Sequence, residues 1–330
     1  MPEGKEPTPR IWEQPIDSGP APEDNASFDA IIVGGGPGGS SAAGYLAKGG
    51  KRVLFIEKSV WPRDKICGDA VGGKSLSHVR ELGVKEILEA TPHFRVTGIK
   101  FSSPKGHIVR VALPEEDVEK MEAGYSLPRA QFDHLLFDAC QKLVRDAGGM
   151  VLQGGDVREV LYDDDCGGED PGSGSKESRH ASGVVVRVGG RDGEEFTFHS
   201  RQLVGAAGYR CPVAVSLVED TYSEKMVDRA HYCAGYREYW SGVKDIEHSA
   251  GDIEIHFVDT VIPGYFWLFP VSEGVVNVGI GMVMSLMDKQ KNKLKALQAD
   301  VIANHPLFKE RFADATLVAG TSKGWQLPFG

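Results

Sequence analysis

Cysteine is scarce and scattered in this chain of 330 residues. The five present, Cys67, Cys140, Cys166, Cys211 and Cys233, form no CxxC pair. Neither a zinc site nor a disulfide framework is therefore indicated, no metal is expected, and a reducing, cytoplasmic setting is the expectation. Positive charge is also in deficit. Lysine and arginine number 37 against 47 acids, for a formal charge of −10. A nucleic-acid binder normally carries a basic stripe, so no nucleic-acid partner is expected. A local site can still oppose the global charge and hold one anionic cofactor. Long apolar runs are missing too. No apolar signal segment is visible near the start. The most apolar later run, Val275 to Met287, is too short and too rich in glycine to span a bilayer. An integral membrane protein is not expected, although peripheral contact with a membrane is compatible with the sequence.

Glycine is what the chain has in excess. It contributes 41 residues, well above a typical share of about 7%, with no collagen period. The concentration is highest in "VGGGPGGSS", residues 33–41. Upstream, "FDAIIV" (Phe28 to Val33) reads as a buried parallel strand. Downstream, small residues followed by Tyr45 and Leu46 read as a helix packed closely on a sheet. "KRVLFIEK" (Lys51 to Lys58) reads as a second buried strand, giving a βαβ opening. Gly34, Gly36 and Gly39 fit G-x-G-x-x-G, the pattern that turns the chain tightly and lets the backbone approach a pyrophosphate. The helix start would face the phosphates with unpaired N–H groups and the positive end of its dipole. Glu57 closes the second strand, where a carboxylate can accept hydrogen bonds from a ribose.

The rest of the chain organises around that opening. Residues 1–27, rich in proline and acid, read as a disordered lead-in. Residues 75–91 read as a helix and 95–113 as paired strands. Arg129 to Gly149 reads as an amphipathic helix with a Gly-Gly stop. Residues 164–183 read as a low-complexity loop. Strands are expected at 151–162, 183–190, 194–200 and 202–208, with "GGRDG" (189–193) joining two of them as a hairpin. Residues 228–284 are rich in strand patterns and aromatics, and 286–304 read as a helix flanked by basic residues. His231, His248 and His256 have no spacing that links them to a metal or a nucleophile.

Four stretches together carry a resemblance: "VGGGPGGSSAA", "PRDKICGDA", "LPRAQFD" and "PGYFWLFP" with its following "NVGIG". They span residues 28–281, and the chain resembles the geranylgeranyl reductase family of flavoproteins. The archaeal-type enzymes that saturate the isoprenoid chains of membrane ether lipids look most similar. The implied architecture is α/β. A Rossmann-like FAD-binding domain of the hydroxylase-like fold would comprise residues 28–94 and 125–218. A second, strand-rich substrate domain would comprise 95–124 and 219–330.

The resemblance also implies roles for residues. Gly34, Gly36, Gly38 and Gly39 would hold the FAD pyrophosphate and Glu57 the adenosine ribose. Cys67, Gly68 and Ala70 would lie against the flavin side. Arg129 would add positive charge near the phosphates or the ribityl chain. The backbone of Val157 would meet the adenine. Tyr265, Trp267 and Phe269 alternate, so on a strand they share one face. Taken alone this is an ordinary aromatic core strand; in the family it would line a prenyl tunnel. Such a wall supplies affinity through buried apolar area, about 25 cal/mol per Å². The implied reaction is FAD-dependent reduction of C=C bonds in a geranylgeranyl chain. Cys67 and Tyr265 are candidate proton donors, and NAD(P)H or a small reduced carrier protein the electron donor.

Two rival readings accompany this one. A flavin-dependent monooxygenase or halogenase shares the fold, but halogenases carry W-x-W-x-I-P where this chain has Tyr265-x-Trp267-x-Phe269-Pro270. A non-catalytic prenyl-lipid-binding protein is the other. It is kept open by a departure from the family's G-A-D-G-x-x-S: Ala207 replaces the aspartate and Cys211 the serine in "GAAGYRC". The family continues beyond a segment like "GTSKGWQLPFG" into a G-D-A motif, so the 330 residues are expected to lack a C-terminal piece and to bind FAD weakly alone.

Overall fold

The structure is a computed structural model. It describes residues 11–328 apart from 21, 121–122, 164–179, 227–228, 273 and 291–292. Cys166 and most of the expected low-complexity loop lie outside the described residues. The chain divides into two compact units. One comprises residues 1–64 and 133–226, the other 65–132 and 227–330.

The first unit is built on a parallel sheet with strand order Leu203–Gly205, Ala30–Val33, Val53–Glu57, Met150–Gln153. These strands are apolar on both faces, so each face must be covered. On one side Ile32, Val53 and Phe55 pack with Ala43, Ala47, Trp61 and Phe137. On the other, Ile31, Leu54 and Ile56 pack with Val157, Val184, Val186 and Phe198. Each such buried side chain contributes about 1.5–3 kcal/mol. The first face is covered by helix Pro37–Lys48, which buries Gly39, Ser40, Ala43, Gly44 and Ala47. Small residues there let helix and sheet approach closely. The second face is covered by a sheet ordered Ala26–Ser27, Glu194–His199, His180–Val188, Gly155–Asp163. The hairpin expected at "GGRDG" pairs its two strands antiparallel.

The second unit is a single sheet of ten strands among the described residues. At its centre run Tyr232–Ser241, Val275–Val283, Tyr265–Ser272, Ala250–His256 and Phe94–Ser102. Alternation splits Tyr265–Ser272 between two cores. Phe266 and Leu268 join Val278, Ile280, Val301 and Phe308 on one face. Trp267 and Phe269 join Phe94, Val96 and Ile253 on the other.

Several expectations are corrected. The lead-in is ordered from residue 11 among the described residues. Ile16 is buried, Arg145 Nη1 holds Asp17 Oδ2 at 2.9 Å, and Ala26–Ser27 pairs with Phe198–His199. A few anchors and backbone pairs suffice where no periodic pattern exists. The helix expected over 75–91 is two, Ser75–Glu81 and Lys85–Glu89. Gly83, with φ +74°, turns the chain between them. The helix expected over 286–304 is also two, Met284–Gln290 and Leu294–Asn304. The strand expected from residue 183 already starts at His180. The division between units also differs from the expected domains. Residues 65–94 and 125–132 belong to the second unit because Ala70–Gly72 pairs with Gly124–Ser126, which pairs in turn with Phe94–Ser102.

Candidate functional site

In the first unit the glycine turn follows strand Ala30–Val33 directly. Gly34 has φ +114°, and a Cβ there would lie 2.5 Å from Ala206 O and from the backbone of Ala207. A Cβ on Gly39 would lie 1.7 Å from Gly34 O. Both positions therefore require glycine. Gly36 is the N-cap of the helix, with no side-chain cap, so its first N–H groups lack a protein side chain to satisfy them. Gly38 is exposed, and a Cβ there would meet nothing within 4 Å. A tight turn, an uncapped helix start and open space at one glycine fit a pyrophosphate.

Glu57 is placed as expected at the end of its strand and is 7% exposed. Its Oε2 accepts the Gly35 N–H at 2.7 Å and its Oε1 the Ser59 N–H at 2.8 Å. Arg63 was not foreseen. Its Nη2 lies 3.4 Å from Glu57 Oε2 and its Nη1 lies 3.3 Å from Asp133 Oδ2. Its guanidinium stacks over Trp61 at 4.3 Å. A carboxylate offers about four lone-pair sites, and three of Glu57's are used here, which leaves room for one ribose hydroxyl on Oε1. Val157 lies on the strand Gly155–Asp163, its side chain in the core and its register partner Val186.

Cys67, Gly68, Ala70, Arg129, Tyr265, Trp267 and Phe269 all belong to the second unit. Phe269 packs on the Cys67 loop, since a Cβ on Gly68 would lie 2.9 Å from its ring. The three aromatic rings run along one face, with centroids 5.8 Å apart for Tyr265–Trp267 and 6.3 Å for Trp267–Phe269. Trp267 and Phe269 are buried, whereas Tyr265 is 42% exposed. The Tyr265 phenol is pushed up, first by desolvation and then by the neighbouring thiols of Cys233 and Cys67. Gly279 lies beneath the Trp267 indole, where a Cβ would be 2.0 Å from the ring.

Asp69 is the residue that sequence reasoning passed over. It is fully buried, as is Asn277. Tyr239 OH donates to Asp69 Oδ2 at 2.6 Å, Asn277 Nδ2 donates to the same atom at 2.7 Å, and the Arg129 N–H donates to Oδ1 at 3.2 Å. Burial raises the carboxyl from 3.8 to about 6, against the hydrogen bonds of Tyr239 and Asn277 and the charges of Arg237 and Arg129. Arg129 thus has a protein carboxylate at its helix start, which offsets its unfavourable place at the positive dipole end. The available signals were an acid between glycine and alanine in "CGDA" and a lone asparagine in an apolar strand.

His256 is buried in a separate cluster of this unit. Its Nδ1 pairs with Ser102 Oγ at 2.8 Å and its Nε2 with Glu254 Oε2 at 2.9 Å, while Arg311 Nη1 holds Glu254 at 2.7 Å. Both Ser102 and His256 are 2% exposed, so this arrangement braces the sheet and is closed to a substrate.

Two family models match the chain: an FAD binding domain over residues 27–164 and a geranylgeranyl reductase catalytic domain over residues 232–321. Through these two matches the chain is similar to FAD-dependent geranylgeranyl reductases. Among curated relatives, the menaquinone reductase of Mycobacterium tuberculosis is 30% identical over 257 residues, 77% of this chain and 55% of that protein. The digeranylgeranylglycerophospholipid reductase of Methanocella arvoryzae is 28% identical over 309 residues, 89% of this chain and 67% of that protein. The chain spans little more than half the length of the first of these. The solved structure of the flavin-dependent brominase Bmp2 superposes with a TM-score of 0.70 at 20% identity, covering 91% of this chain and 67% of that one. At that identity the likeness concerns the fold. The matched FAD binding domain assigns FAD as the cofactor. No described helix is long and apolar enough to cross a membrane.

Proposed function

We propose that this protein reduces isolated C=C bonds of a polyprenyl chain, using FAD. The observation that carries the reading is the aromatic face Tyr265, Trp267, Phe269 within the segment matching a reductase catalytic domain. A polyprenyl chain offers no polar groups to pair, so a wall of rings suits it. Reduced FAD, when bound, supplies the hydride. The chain's own residues have three tasks. In the first unit, Gly34, Gly36, Gly38 and Gly39 hold the pyrophosphate through the backbone, and Glu57 takes the ribose. In the second unit, Trp267 and Phe269 hold the alkene and exclude water. Cys67, Gly68 and Ala70 present small side chains to the flavin side of the cofactor. The proton for the second carbon comes from the Tyr265 phenol or the Cys67 thiol.

The relatives' names supply two candidate head groups for the prenyl chain, a glycerophospholipid and a quinone. The ether lipid is our first assignment, and NAD(P)H or a small reduced carrier protein is the electron source. Such substrates reside in membranes, so peripheral membrane contact belongs to the same reading.

Mass spectrometry of each lipid incubated anaerobically with dithionite-reduced protein tests this. The expected result is a mass gain of two hydrogens per reduced bond. Oxygen consumption with reduced flavin, and an oxygenated or halogenated product, would replace this reading with the monooxygenase or halogenase one. Tight prenyl-lipid binding by a colourless protein that never takes up flavin would replace it with the carrier one.

A further inference from the structure

We propose that Asp69 is a positioning residue: through the Asn277 amide it sets the orientation of the Trp267 indole and of the Cys67 peptide. The geometry is a short chain of buried hydrogen bonds. Asn277 Nδ2 donates to Asp69 Oδ2 at 2.7 Å and to Cys67 O at 3.1 Å. Its Oδ1 accepts the Trp267 Nε1–H at 2.8 Å. Asn277 can satisfy all three partners in only one of its two amide orientations. Flipped, its Oδ1 would face two acceptors and its Nδ2 would face the indole N–H. The Asp69 carboxylate, as an acceptor, selects the productive orientation.

The carboxylate is itself fixed by several elements. Tyr239 OH holds Oδ2 at 2.6 Å from strand Tyr232–Ser241, and the Arg129 N–H holds Oδ1 at 3.2 Å from the start of the long helix. Arg237 stacks over Tyr239, its guanidinium 4.4 Å from the ring centroid. Asp69 O accepts the Leu127 N–H at 3.1 Å. A fully buried carboxylate is costly, and an apolar residue would serve packing alone at least as well. What the carboxylate adds is a fixed acceptor beside an amide that must not flip. The charged and titratable groups facing it are Arg129, Arg237 and Tyr239. Its carboxyl, at about 6, gives up one acceptor on mild acidification.

The test is the indole ¹H–¹⁵N resonance of Trp267, assigned by its disappearance in Trp267→Phe. In Asp69→Asn the resonance is expected to shift, while those of Trp61 in the first unit and Trp240 stay in place. In the wild-type protein it is expected to titrate with a midpoint near 6. Once the resonance is assigned, this arm reads the wild-type protein alone. In Tyr239→Phe, which removes a hydrogen bond that lowers the Asp69 carboxyl, the midpoint should move to higher pH. A resonance insensitive both to Asp69→Asn and to pH between 5 and 7 would overturn the proposal. A kinetic arm rests on the proposed reduction: Asp69→Asn and Trp267→Phe should each raise KM for a long prenyl chain about tenfold at unchanged flavin content. The double variant should be no worse than either single one. Additive effects would overturn the coupling. If no prenyl lipid is turned over, the proposed function fails while the resonance still decides the positioning role.

Discussion

The Gly35 amide donates to Glu57 Oε2 at 2.7 Å, so the carboxylate closing the second strand holds the glycine turn in place. Glu57 thereby has a structural duty besides any ribose. Glu57→Gln keeps one acceptor and substitutes a donor that faces Arg63 or the Ser59 N–H. Losing a charge-assisted hydrogen bond costs about 1.5–3 kcal/mol, which at the lower bound weakens FAD binding roughly tenfold. Flavin absorbance per mole of purified protein and a flavin titration measure it. Full flavin occupancy with unchanged affinity in the variant would remove Glu57 from the site.

Gly38 and Gly39 are adjacent and make opposite predictions. Gly39→Ala puts a methyl 1.7 Å from Gly34 O, a clash with backbone that cannot swing away. Thermal unfolding should drop by several degrees, about 2–4 °C per kcal/mol lost in a unit of this size, and flavin should be lost with it. Gly38→Ala meets open space. Its melting temperature should match the wild type, and only flavin affinity should fall. If Gly38→Ala binds flavin normally, the pyrophosphate does not pass over that residue.

How legible was this in the sequence? The βαβ opening was readable because an apolar run, a glycine turn and a second apolar run are local signals. The shared face of Tyr265, Trp267 and Phe269 followed from period-2 alternation. The boundary between units was not readable. It depends on Ala70–Gly72 pairing with Gly124–Ser126, strands of three residues separated by some fifty in sequence, where periodicity has nothing to count. The buried polar network was hidden for a related reason. Asp69 and Asn277 sit singly among apolar or small neighbours, and a lone polar residue becomes a hub only when distant strands deliver its partners.

Trp267 and Tyr265 need different substitutions. Trp267 is 7% exposed and hydrogen-bonded to Asn277, so alanine there costs about 3–5 kcal/mol of packing and would confuse folding with binding. Trp267→Phe keeps most of the volume and should weaken long-chain turnover with the flavin spectrum intact. Tyr265 is 42% exposed, and Tyr265→Phe should leave stability within about 0.5 kcal/mol. If its phenol delivers the proton, anaerobic turnover falls by about a hundredfold. Unchanged turnover in Tyr265→Phe transfers that role to Cys67, where Cys67→Ser is the matching measurement.

Two buried carboxylates of the second unit should leave opposite marks on stability against pH. Asp69 is raised by burial from 3.8 to about 6. Between those values the folded protein holds more protons than the unfolded chain, so Asp69's contribution is greatest below 3.8 and is lost as pH rises through 6. For Glu254, burial acts upward, but hydrogen bonds and charge from His256 and Arg311 outweigh it and bring the carboxyl from 4.5 down to about 2. Its contribution is present above 4.5 and is lost as pH falls toward 2. Each shift corresponds to about 3 kcal/mol. Urea unfolding of wild type, Asp69→Asn and Glu254→Gln from pH 3.5 to 7 separates them. The wild type should lose ground to Asp69→Asn as pH rises from about 4 to 6, by up to ~3 kcal/mol. It should gain on Glu254→Gln as pH rises from 3.5 to 4.5 and then hold that margin. A stability gap to Asp69→Asn that widens in favour of wild type between pH 4 and 6 would mean that the Asp69 carboxylate is stabilised in place, with its hydrogen bonds outweighing its burial.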